Sequence, residues 1–296
     1  MLMRSMEITL ALGGGGVRGA AHIGVLKGLE KAGFRIRGVA GTSAGGIAGA
    51  VYAAGYSPEE LLSEFALLDQ TNLYTRHPGD GPSLLGVSGI DRLLNRLLGE
   101  RTFDELLIPL AVTALDLKTK KEVVLSNGRV VDAVLATMSM PGVFPPREHE
   151  EYLLVDGGLV DPVPVAAARA FAPLLPVVAV ALDDPTYIPE VSFSPPHFLM
   201  PSPLLRTIAR LRVAQAFSIF LESMDISSGY LTDFRLQLDK PDIIIRPHVG
   251  DLELLENINV VEISLRGEQA FEKALPGLLQ TAQWQKRLQR WLRWRS

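Results

Sequence analysis

One serine in this chain stands between two glycines, in Gly41-Thr42-Ser43-Ala44-Gly45, after an apolar run and before an alanine-rich one. The pattern is G-x-S-x-G, a strained strand-to-helix turn that exposes a serine hydroxyl at the edge of a sheet. Small residues also suit any tight turn, so the pentapeptide needs partners elsewhere. A hydroxyl that attacks an ester requires a base for its proton and hydrogen-bond donors for the oxyanion that forms.

Gly14-Gly15-Gly16-Val17-Arg18-Gly19 offers the donors. Its spacing also fits a dinucleotide-binding loop, but that loop needs an acidic residue about 20 positions on. Val39, Ala40 and Gly41 stand there instead. A phosphate-cradling Walker loop would need Lys-Ser or Lys-Thr after the glycines, and neither is present. What the glycines retain is a series of bare backbone N–H groups at a helix start, able to converge on an anion. Gly15 and Gly16 are the foremost donors in this reading, against a purely structural turn.

Two bases are compatible with the residue types. In the common order Ser, then acid, then His, His248 would join Ser43 and Asp183. The other histidines after Ser43 are His77 and His149 in polar loops and His197 in a proline-rich stretch. Asp156 is the second candidate, at the end of the apolar run YLLV, where open α/β sheets carry their sites. Gly157 and Gly158 after it allow close backbone approach, and a plain Asp-Gly-Gly turn is the bland alternative. An aspartate of ordinary pKa is a weak base, so burial would have to raise it. Asp161, before a proline, reads as a turn organiser, and Asp183 with Asp184 as a strand end.

Taken in order, Gly-Gly-Gly-Val-Arg-Gly, Gly-Thr-Ser-Ala-Gly and Asp-Gly-Gly resemble the patatin-like phospholipase family, its bacterial members above all. The segments HIGVLKGLEKAG, MSMPGVFPP and LVDGGLVDPVPV are similar to that family's connecting segments. The resemblance is dense from Ile8 to Pro164 and thinner to DIIIRP. It implies a Ser–Asp dyad without histidine on Ser43 and Asp156, and an oxyanion hole on Gly14, Gly15 and Gly16 with Arg18 beside it. Gly19, Gly41, Gly45, Gly157 and Gly158 would support the turns. The implied substrate is a phospholipid or lysophospholipid, with no cofactor and no metal. The competing class is a non-catalytic, membrane-associated regulator that keeps the fold. Plant patatins often open the glycine loop with aspartate where this chain has Gly13, which argues against a plant-type substrate range.

The elements that must hold these residues alternate from the start. Residues 6–12 read as a buried strand and 19–33 as a helix with Ile23, Leu26 and Leu29 at helical spacing. Residues 35–41 form a second strand, an alanine-rich helix follows, and Ser57-Pro58 with Glu60 opens another helix. Residues 70–89 lack a period and read as a loop or lid. A helix at 90–98, strands at 109–117 and 121–125, a helix at 130–139 and strands at 151–155 and 176–182 come next. Irregular residues 185–203 lead into a long helix to about Met224, and 242–247 is the last strand. This order predicts an α/β fold of three layers, α/β/α, patatin-like, around a central, mostly parallel sheet with a nucleophile elbow. The expected organisation is an acyl hydrolase domain over 6–275 and a basic, Trp-containing helix over 276–296.

Composition sets the remaining bounds. Net charge is -4 and 47% of the 296 residues are hydrophobic, which argues for a large core and against nucleic acid as partner. With no cysteine, disulfides and thiolate sites are excluded, in keeping with a cytoplasmic setting. Glu7 and the four glycines after it make the N-terminal run a strand rather than a leader. In the tail WQKRLQRWLRWRS, Trp284, Leu288, Trp291 and Leu292 share a helical face, with Lys286, Arg287, Arg290 and Arg293 largely elsewhere. Such a segment fits peripheral contact with an anionic membrane, or docking of the same face on the protein's own core.

Overall fold

The computed structural model describes residues 6–76, 81–183, 185 and 212–281. Its strands are β1 (Met6–Leu12), β2 (Phe34–Gly41), β3 (Leu110–Asp116), β4 (Lys121–Leu125), β5 (Arg147–His149), β6 (Tyr152–Asp156), β7 (Val177–Val180) and β8 (Ile243–Ile245). The helices are α1 (Ala20–Lys31), α2 (Ala44–Ala53), α3 (Pro58–Ala66), α4 (Ser88–Leu98), α5 (Val130–Thr137), α6 (Val165–Phe171), α7 (Arg212–Asp239) and α8 (Val260–Thr281). Expected strands and helices are found in the expected order, and β5 and α6 are additions. Among the described residues no helix is long and apolar enough to cross a membrane.

Successive strand residues point to opposite faces, so a strand apolar throughout must be covered on both. That is the case here. Leu10, Leu12, Val39, Val178 and Val180 pack into one core with α1, α2, α5 and α8. Ala11, Ala40, Val177 and Ala179 pack into a second with α6 and with Leu236 of α7. Each large apolar side chain so buried contributes about 1.5–3 kcal/mol. The result is the three-layer α/β/α sandwich predicted above. Helix α3 begins at the expected cap, with Glu60 N–H donating to Ser57 Oγ at 3.2 Å and Ser57 N–H to Glu60 Oε2 at 2.8 Å.

Strands β3, β2, β1, β7 and β8 run parallel in that spatial order. Strand β3 has three partners, and their registers decide where the site forms. Val112 pairs with Gly41 of β2 and also with Leu125 of β4, so β2 and β4 flank β3 on opposite sides. Ala114 pairs with Asp156 of β6 and also with Val123 of β4, so β6 lies on the β2 side. Because β2 is parallel to β3 and β6 antiparallel, they approach along β3 from opposite directions. Their C-terminal ends meet around Thr113. The segments after Gly41 and at Asp156 are thereby brought together.

Two boundaries differ from expectation. The long helix does not stop near Met224 but continues to Asp239. Its polar middle around Gly229 is a poor helix former, yet Thr232 and Leu236, further along the same helix, are buried. Tertiary packing there overrides local propensity. Helix α8 runs through residue 276 to Thr281, with Pro276 inside it and Leu278 buried. The expected break at 276 is therefore not a helix boundary. Residues 282–296, with all of the tail's tryptophans and arginines, lie outside the described residues, as do His77 and His197.

Candidate active site

Ser43 is the second of two residues between the end of β2 and the start of α2, with φ 52° and ψ −119°. Such a backbone costs a side-chain-bearing residue about 1–3 kcal/mol and persists only where neighbours hold it. Thr137 Oγ1, at the end of α5, accepts the Ser43 N–H at 2.9 Å. Thr42 Oγ1 donates to the Asp161 carbonyl at 2.8 Å and accepts from Thr113 Oγ1 at 2.6 Å. Gly45 N–H closes the turn on the Thr42 carbonyl at 2.8 Å. A Cβ on Gly45 would stand 2.1 Å from the Leu12 carbonyl oxygen, so only glycine lets α2 start this close to β1. None of the three threonines was singled out by its place in the sequence, since their contacts span 71 to 119 residues.

Ser43 Oγ donates to Asp156 Oδ2 at 2.7 Å. The other carboxylate oxygen accepts the Gly158 N–H at 2.8 Å. Asp156 is buried, and burial pushes its carboxyl up to about 6 against the opposing pull of the Gly158 N–H and the Ser43 hydroxyl. A carboxylate of ordinary acidity has become one that holds a proton close to neutrality. That is the condition the sequence argument set for an aspartate base.

The glycine loop lies against this pair, and a Cβ on Gly14 would come within 3.3 Å of Ser43 Cβ. Its backbone groups divide into engaged and unengaged. Gly13 N–H donates to the Val180 carbonyl at 2.9 Å, Gly14 N–H to Pro162 at 3.0 Å and Val17 N–H to Leu254 at 3.0 Å. Gly15 and Gly16 N–H donate to no acceptor among the described residues. Gly14 is therefore a tether of the loop, and its N–H leaves the set of three expected to face an oxyanion. Gly15 has φ 154° and Gly16 φ 57°, both in the region that glycine alone enters freely.

Arg18 is engaged within the protein. Its guanidinium donates to Asp225 Oδ1 at 2.9 Å and Oδ2 at 2.8 Å, and to the Leu252 carbonyl at 2.6 and 2.9 Å. It fastens α7 and residues 252–254 to the glycine loop. Asp161 is fully buried, and its carboxyl faces Arg235 of α7 at 2.8 Å, with Glu122 and Asp239 on the same guanidinium. Burial raises that carboxyl to about 7 although Arg235 pulls it down.

Asp183 forms an ion pair with Arg246, which also holds Asp233. The carbonyl of His248 accepts from Arg266 at 3.2 Å, and His149 lies in β5. Among the described residues no histidine lines the cavity that contains Ser43 and Asp156. This cavity holds about 1080 Å³ of free space, counting the open volume at its mouth. Ile47, Phe65, Leu73, Met138, Phe144 and Leu255 form much of its wall. It is a largely apolar chamber that contains the Ser43–Asp156 pair and has Gly16, whose N–H is unengaged among the described residues, in its lining.

The sequence model of the family described as Patatin-like phospholipase matches residues 10–169. An uncharacterized NTE family protein of Mycobacterium tuberculosis is 37% identical over 165 residues, 55% of this chain and 45% of that protein. A second from the same organism is 30% identical over 278 residues, 91% of this chain and 46% of that protein. Patatin-like phospholipase domain-containing protein 6 of Mus musculus is 33% identical over 177 residues, 55% of this chain and 12% of that protein. The chain thus spans about half the length of the mycobacterial relatives. Among solved structures, VipD from Legionella pneumophila aligns over 93% of this chain and 67% of that one, at 12% identity and a TM-score of 0.49.

Proposed function

This chain belongs to the patatin-like phospholipase family, and we propose on that footing that it is a serine acyl hydrolase of lipid esters working through a Ser43–Asp156 dyad. The observation that carries the proposal is the 2.7 Å hydrogen bond from Ser43 Oγ to Asp156 Oδ2 beside an apolar cavity. An acyl chain in that cavity would set its ester carbonyl at Ser43. As Oγ bonds to the carbonyl carbon, its proton passes to Asp156, and the carbonyl oxygen gains the negative charge. Gly15 and Gly16 N–H, with the positive end of α2, stabilise that charge. The C–O bond to the alcohol then breaks and the alcohol takes the proton from Asp156. Water next attacks the acyl-serine, giving its proton to Asp156, and the fatty acid leaves as Oγ is reprotonated.

A carboxyl raised to about 6 suits both halves of this cycle, because it accepts a proton readily and still returns it. Phospholipid or lysophospholipid is the substrate class, and the basic segment over 283–296 is the proposed peripheral contact with anionic lipid. The decisive test is turnover of a soluble short-chain ester and labelling by a fluorophosphonate, in wild type beside Ser43→Ala. Turnover and labelling in the wild type alone are expected. An inert but correctly folded wild type that binds vesicles would favour the non-catalytic regulator, and labelling that persists in Ser43→Ala would remove Ser43 as nucleophile.

A further inference from the structure

Four glycines in a row, Gly13 to Gly16, make the softest stretch of backbone in the site, because no Cβ restrains any of them. A loop of this kind presents its N–H groups in a fixed direction only if other groups hold its peptide planes. The Gly13–Gly14 peptide is held at both ends. Its N–H donates to the Pro162 carbonyl at 3.0 Å, and its carbonyl oxygen meets His22 Nε2 at 2.8 Å. A peptide unit is planar, so two bonds at opposite ends stop it from turning about its own axis.

His22 stands on α1 among Ala21, Ile23, Val25 and Leu26, and like them it is almost completely buried. An apolar side chain would fill that position without burying polar nitrogens. Its Nδ1 meets no polar partner among the described residues, which makes imidazole a costly filler. Burial also pushes its pKa down to about 4, so the ring is neutral at working pH and carries one proton. Facing a carbonyl oxygen, Nε2 must be the nitrogen that carries it. Gly13 lies past the last β1 residue, where among the described residues no neighbouring strand supplies a donor to its carbonyl, and His22 does so instead.

We infer that His22 is a positioning residue for the oxyanion loop, its Nε2–H clamping the Gly13 carbonyl and thereby aiming the Gly15 and Gly16 N–H groups. The inference rests on the proposed role of those two groups. It makes His22 a contributor to turnover that touches neither substrate nor Ser43.

The test compares wild type, His22→Leu, His22→Gln, His22→Asn and Ser43→Ala on a soluble p-nitrophenyl ester, with kcat, KM and thermal midpoint measured for each. The Gln amide nitrogen reaches where Nε2 stands, whereas the Asn amide reaches only the Nδ1 position. The expected result is a kcat loss of about 10²-fold in His22→Leu and His22→Asn, as for a misaimed oxyanion donor, with KM within about 2-fold. His22→Gln should regain most of kcat. Should His22→Leu fail to fold, a kcat at least about 10-fold higher in Gln than in Asn supports the inference, and equal values overturn it. Ser43→Ala separates the two levels. If it turns over like wild type, the reading of the site falls and the inference with it. If it is inert while His22→Leu is fully active, the inference alone is overturned.

Discussion

Replacing Asp156 by asparagine should abolish turnover and at the same time stabilise the protein above pH 6. The carboxyl titrates near 6 in the folded chain, raised chiefly by burial from an ordinary 3.8. Between those two values the folded state binds more proton than the unfolded state, so Asp156 lowers stability progressively as pH rises from about 4 to about 6. At 1.36 kcal/mol per pKa unit, the full effect at pH 7 and above is about 3 kcal/mol. Asparagine removes the charge without orphaning its neighbours. Its Oδ1 can keep the Gly158 N–H, and its Nδ2 can donate to Ser43 Oγ, which reverses the 2.7 Å bond. For a chain of this size the gain corresponds to about 6–12 °C in thermal midpoint at pH 8. About half of it should remain at pH 5, and little at pH 4. Other raised carboxyls, Asp161 among them, are present in both proteins and cancel in the difference. Thermal unfolding of both proteins by circular dichroism across pH 4–8 measures it. An Asp156→Asn midpoint at or below wild type at pH 8, or a gap that does not widen from pH 5 to 8, would refute the reasoning.

Three further outcomes are expected. His248→Ala should keep kcat/KM within about 3-fold of wild type, and a loss near the roughly 10⁴-fold scale of a disabled triad would restore the Ser–Asp–His alternative. A double-mutant cycle of Arg18→Gln and Asp225→Asn in urea should return a coupling of about 1–3 kcal/mol for this largely buried, bidentate pair. Additive effects would show that α7 is not fastened at the glycine loop. Deleting the chain from Gln283 onward should weaken binding to anionic vesicles in low salt and spare hydrolysis of a soluble ester. Lost thermal stability with unchanged vesicle binding would instead mean that the tail docks on the protein.

Chemistry-bearing residues close together in sequence were the readable ones. Ser43 declares itself through its glycines, and Asp156 through the apolar run it terminates. Periodicity located the strands and most helices, because alternation and helical spacing are local properties. Helix α7 escaped at its C-terminal half for the converse reason. Around Gly229 the local pattern says stop, while Leu236 in the core and Arg18 on Asp225 hold the helix in place. Asp161 read as a turn residue because nothing near it in sequence announces Arg235, 74 positions later, across the α7 layer.

What the sequence determined by itself is the set of parts: a serine in a tight turn, a run of bare N–H groups, an aspartate at a strand end and an α/β order. What only the tertiary structure decided is which parts meet. Ser43 and Asp156 converge because β2 and β6 run toward each other along one edge of β3, a matter of register and direction that no local pattern encodes. The same holds for the loop donors. Gly14, Gly15 and Gly16 are equivalent as letters, and the contact with Pro162 singles out Gly14 as tether while Gly15 and Gly16 stay unengaged among the described residues. His22 looks like one more residue of an apolar helix until β1 ends at Gly13 and leaves that carbonyl to it. A residue's type sets the chemistry it can do, but long-range packing sets what it touches, and packing is a property of the whole chain.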